Sequence, residues 1–113
     1  MKYEGRWHIT EMELWDDEYL HMEVQAYIQI RRDGSGAFQF GLVSGQIDGE
    51  VVKTTHGERF DFTWEGNDEN DEASGSGWLA LENKDTLEGS IKFHHGDRST
   101  LSAKRATKGT SRK

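Results

Sequence analysis

The chain has 113 residues, 21 acidic and 14 basic side chains, 13 glycines, and neither cysteine nor proline; that is one domain's length, and it excludes a disulfide framework, a thiolate nucleophile and cysteine-held zinc. Hydrophobic residues make up only 33% and no apolar run approaches the roughly 20 residues of a membrane-spanning helix; the opening MKYEGRWHIT has no apolar secretory stretch, so a cytoplasmic location is expected. Residues 1–103 hold 21 acidic against 9 basic side chains, a balance that repels phosphate backbones and argues against nucleic acid as a partner.

Low apolar content with high charge can signal disorder, but four Trp, three Tyr and five Phe argue for a packed core. These rings recur with period two, in runs bounded by Gly, Asn, Asp or Ser. Tyr3–Met12 is the first predicted strand, with Trp7 and Ile9 on one face. Glu13–Met22 (ELWDDEYLHM) breaks the rhythm, and Asp16, three residues ahead of Tyr19, is a candidate N-cap for one short helical turn. Gln25–Arg31 is the second strand, and Asp33-Gly34-Ser35-Gly36 a tight turn. Phe38, Phe40 and Leu42 mark one face of the third. Gln46–Thr55 is the fourth, interrupted by Gly49.

After the turn His56-Gly57-Glu58, Phe60, Phe62 and Trp64 line the fifth strand. A long polar loop is predicted over Gly66–Gly75. Trp78 and Leu81 belong to the sixth strand, which Asn83-Lys84-Asp85 closes. Leu87, Gly89, Ile91, Phe93 and His95 share a face of the seventh. Gly96-Asp97-Arg98 leads into the eighth, where Leu101, Ala103 and Arg105 point one way.

Hairpin-length links, with no helix long enough for a parallel crossover, predict an antiparallel sheet. The expected fold is all-β: an eight-stranded antiparallel up-and-down barrel over residues 1–105, which leaves no sheet edge exposed. Its interior is either filled by side chains or open to one small ligand. Gly41, Gly45, Gly49, Gly77 and Gly89 fall within strands, where barrels bend sharply. A two-sheet β-sandwich is the alternative. Residues 104–113 carry five basic and no acidic side chains, and 106–113 are expected to be a basic disordered tail.

Gly5-Arg6-Trp7 at the start and Lys104-Arg105 at the end resemble the calycin pattern of lipocalins, fatty-acid-binding proteins and avidins. The resemblance implies that Trp7 plugs one end of the barrel beneath Arg105. This chain is shorter than a lipocalin and lacks its terminal helix. The segments EMELW (11–15), FQFG (38–41), WEGNDEND (64–71), SGSGW (74–78) and FHHGDRS (93–99) resemble a family of small uncharacterised bacterial proteins. That resemblance implies one compact domain and carries no catalytic residue.

Among candidate sites, Glu65–Glu72 (EGNDENDE) offers alternating oxygen ligands in Asp68, Asn70 and Glu72. A calcium loop counted from Asp68 needs glycine sixth and glutamate twelfth; Ala73 and Leu79 stand there, so a solvated polar loop is the plainer reading. Tyr27, Trp64, Trp78 and His95 are candidates to line a partly open barrel mouth for a small ligand; a solid aromatic core is the competing reading. His94 and His95 are neighbours on one strand and point to opposite faces, so without a bulge they cannot jointly grip one ion. There is no G-x-S-x-G elbow, Gly75-Ser76-Gly77 lacks a phosphate-loop lysine, and no motif implies a cofactor. Three readings follow. The first is a non-enzymatic binding barrel for a small apolar or amphipathic ligand. The second is an interaction module offering acidic segments 11–23 and 66–75 to a basic protein. The third is a cation-binding or enzymatic role.

Overall fold

The computed structural model describes residues 1–106. Alternating apolar and polar side chains produce β1 (Gly5–Met12), β2 (Tyr27–Ile30), β3 (Ser35–Phe40), β4 (Val43–Thr54), β5 (Gly57–Asp68), β6 (Asp71–Asn83), β7 (Thr86–Phe93) and β8 (Arg98–Arg105). One short helix, α1 (Asp17–Leu20), lies between β1 and β2. Its N-cap is Asp16, whose carboxylate accepts the Tyr19 N–H at 3.0 Å. Every neighbouring pair is antiparallel, and β1 pairs with β8 from Trp7↔Arg105 to Met12↔Leu101. The sheet is a closed barrel in sequential strand order, so the two-sheet alternative falls. No described helix is long and apolar enough to cross a membrane.

Rings facing glycines fill the cylinder. Phe38 pairs across to Gly45, Phe62 to Gly49 and Gly77, and Trp64 to Gly75. A methyl group on Gly45 would come within 2.8 Å of both the Phe38 and Trp64 rings, and one on Gly77 within 2.5 Å of Phe62. The glycines make room for their neighbours' rings. Phe38, Phe40, Phe60, Phe62 and Trp64 are all buried. Phe38 and Trp64 meet edge to face at 5.1 Å, while Phe60 and Phe62 stack at 6.1 Å. The interior is a packed core.

Two expectations are corrected by the same hairpin and the turn before it. Gly66–Gly75 is not a loop: β5 and β6 pair through it to Asp68↔Asp71, and Glu69-Asn70 make the turn, with Glu69 at φ 60°. The strands were hidden because the hairpin stands beyond the packed barrel, where neither face requires apolar side chains. Leu42 is not on the third strand, because Gly41 at φ 57° turns the chain between β3 and β4. The expected tail at 106–113 lies, past Ala106, outside the described residues.

The barrel end where β1 starts is sealed by charge-assisted bonds. Trp7 is fully buried, and its indole N–H donates to the Tyr3 carbonyl at 3.0 Å. The Arg105 guanidinium lies 4.1 Å from the Trp7 ring centroid. It also donates to the carbonyls of Glu4 (2.9 Å), Lys84 (2.9 Å) and Lys2 (3.2 Å), tying the N-terminal segment and the β6–β7 turn to the last strand. Arg105→Ala removes the ring contact and leaves three carbonyls without their donor. It is expected to destabilise the fold by about 2–4 kcal/mol in urea denaturation.

Beside this plug, burial holds the Tyr3 phenol above its ordinary 10.0; a backbone hydrogen bond at Leu81 opposes the shift, and nearby Glu58 adds to it. The unfolded chain therefore ionises at lower pH than the folded one. Stability from this group is complete below pH 10.0 and falls as pH rises above it. Tyr3→Phe is expected to remove part of that alkaline loss in a pH series of denaturation midpoints.

Candidate functional site

The opposite end of the barrel is closed differently, by the segment that connects β1 to β2. Leu20 of α1 is fully buried. The Gly41 N–H donates to the Leu20 carbonyl at 2.9 Å, and the Leu42 N–H to the Tyr19 hydroxyl at 3.3 Å. Trp15, just before the helix, packs its ring 5.0 Å from Phe40 and 6.1 Å from both Tyr19 and Phe93. Trp15 and Phe93 nevertheless remain partly exposed. They are the floor of a cleft.

This cleft, of about 310 Å3, lies between the tip of the β5–β6 hairpin and the β7–β8 turn. Its walls carry Asp68, Asp71 and Glu72 from the hairpin, with His94 and Asp97 from the turn. No lysine or arginine lines it among the described residues. Four carboxylates around the negative faces of two rings form a setting that favours a cation and repels an anion. Of the acidic segments 11–23 and 66–75, the second supplies three of these carboxylates, while the first supplies Trp15 and none of its own.

A wider trough of about 630 Å3 continues along the outer face of the same hairpin, sharing Glu72, Ala73, Ser74 and His94 with the cleft. His94 and His95 do not point to opposite faces as expected: β7 ends at Phe93, His95 turns at φ 60°, and the two rings lie 4.1 Å apart.

The four residues expected at a barrel mouth are dispersed. Trp64 is inside the core, its indole N–H donating to the Lys92 carbonyl at 3.3 Å. Trp78 lies on the outer face opposite Asp61, with the Arg59 guanidinium 5.8 Å from its ring; Asp61 holds that guanidinium at 2.6 Å. Tyr27 is also outside, beneath Arg6 at 3.9 Å. His95 is not on the inner face of β7. That strand ends at Phe93, and the Gly96 N–H donates to the Phe93 carbonyl at 2.8 Å, leaving His95 exposed in the turn at φ 60°. Alternation does not extend through a tight turn.

Asp68, Asn70 and Glu72 do not converge either. Asp68 shares the hairpin face of Trp64, Glu72 lies on the other face opposite Asn67, and Asn70 is in the turn. Among the described residues no group of three or more histidine or carboxylate side chains is placed to hold a metal ion. Trp15 and Phe93 were not anticipated as a pair. The one available signal was a tryptophan in a non-alternating segment too short to bury it alone.

No family model and no curated protein matches this chain.

The cap that positions Trp15 depends on Gly41. A side chain there would run into the Tyr19 ring, on a backbone at φ 57° that favours glycine. Gly41→Ala is expected to cost about 1–3 kcal/mol and to loosen α1 before the barrel. Hydrogen exchange should show this directly, with the amide of residue 41 exchanging faster while β7 and β8 amides are unchanged.

Proposed function

We propose that this barrel is a non-enzymatic binding module that works from its helix end, taking basic groups into the Trp15–Phe93 cleft. The observation that carries the reading is the pairing of two partly exposed rings with four carboxylates in one cleft. An ammonium or guanidinium gains from both features, from the ring faces by about 0.5–2 kcal/mol and from the carboxylates by an amount that salt screens. The acidic body adds a long-range attraction that speeds encounter with basic partners.

The packed interior supports a scaffold role for the barrel, with recognition at its surface. A basic protein fits that surface better than a small apolar molecule does, because the cleft rim is charged on nearly every side.

Agmatine and a lysine-rich peptide serve as probes, with tryptophan emission as the readout. Both are expected to shift the emission at low ionic strength, and the effect should fade between about 10 mM and about 500 mM salt as screening shortens. Asp71→Asn is expected to weaken binding a few-fold, in line with the modest strength of exposed charge pairs. Emission unchanged by either probe at low salt sinks the reading.

A further inference from the structure

The residues around the cleft come from both faces of β6. Asp71 and Ala73 lie on the face that is continuous with the barrel interior, Glu72 and Ser74 on the outer one. A cavity that touches both faces of a strand runs along its edge. The backbone identifies that edge. The His94 N–H donates to the Ser74 carbonyl at 2.7 Å, so Ser74 aims its backbone groups at β7. Glu72, two residues earlier, aims its N–H and C=O the same way. The same alternation makes Asn67↔Glu72 a pair that β5 and β6 leave unbonded.

Continuing the β6–β7 register beyond Gly75↔Phe93 would set Gly96 opposite Glu72. The chain has already turned by then, with the Gly96 N–H committed to the Phe93 carbonyl at 2.8 Å. Glu72 therefore presents a strand edge to the cleft, beside the rings and carboxylates.

We propose that the partner enters as an added strand: an extended basic peptide pairs its backbone with Glu72 and lays a lysine or arginine side chain against Trp15. This rests on the reading of the cleft as a site for basic groups. Strand addition gives affinity through the main chain and specificity through alternate side chains. Charge complementarity selects the occupant, because a second copy would bring another acidic hairpin to the same edge.

The probe is a seven-residue peptide alternating lysine and threonine, compared with the same peptide N-methylated along one edge and with agmatine. Saturating peptide is expected to slow hydrogen exchange at the Glu72 amide at least tenfold. N-methylation, which removes the peptide donor to the Glu72 carbonyl, is expected to weaken binding about threefold to tenfold, the loss of one hydrogen bond. Glu72→Pro deletes the free N–H without touching the β5 ladder and is expected to weaken the peptide about as much; Glu72→Gln, which keeps the N–H, weakens it less. Agmatine binding should be nearly the same in the proline and glutamine variants. If the peptide binds but the Glu72 amide stays unprotected and N-methylation has no effect, strand addition is overturned while the basic-group cleft stands. If neither peptide nor agmatine binds, both fall.

Discussion

Volume inside the barrel decides where this protein can act. Eight strands enclose a cylinder just wide enough for side chains to fill, and here the filling is aromatic rings set against glycines on neighbouring strands. Phe38 over Gly45 and Phe62 between Gly49 and Gly77 leave each ring the space its neighbour lacks. Such a core tolerates little addition, since an extra methylene in a packed interior typically costs about 1–3 kcal/mol. A guest inside would have to displace rings already in contact. The proposed binding would therefore fall on the outer surface and the ends.

The two ends are built from different physics. At the Arg105 end, one guanidinium joins three backbone carbonyls and a buried indole, so four chain segments are fixed through a single charged group. At the helix end the closure is a four-residue helix, one buried leucine and two hydrogen bonds around Gly41. Fewer buried contacts mark the part of a fold that opens most easily. Trp15 sits at this end, packed on Phe40, Tyr19 and Phe93 and partly exposed at the cleft.

Alternation and turn chemistry made the barrel legible in the sequence. Trp7 and Arg105, at opposite ends of the pattern, are directly paired in the closing register, and Asp16 caps the short helix. What stayed hidden follows from the same logic. Period two is visible only where one face is apolar, so the β5–β6 hairpin, polar on both faces, looked like a loop. His95 was placed inward by counting past a turn that resets the count. Trp78 and Tyr27 were candidates to line a barrel mouth, yet both lie outside under arginine guanidinium groups. A ring stacked by arginine satisfies its faces without burial in the core. The cleft itself joins residues from positions 15, 68–74 and 93–97, a meeting that only the closed topology produces.

The exposed edge of β6 poses a problem that a barrel otherwise avoids. Unpaired backbone groups invite pairing with any extended chain, including another copy of the same protein. Here the edge lies on a hairpin that carries Glu65, Asp68, Glu69, Asp71 and Glu72. Two such hairpins brought side by side would place like charges directly across from each other, which is destabilising. An uncharged chain meets no such repulsion but gains nothing from the carboxylates, and only a basic one converts them into attraction. The same side chains that disfavour pairing of the edge with itself would, in the proposed reading, favour a basic chain there.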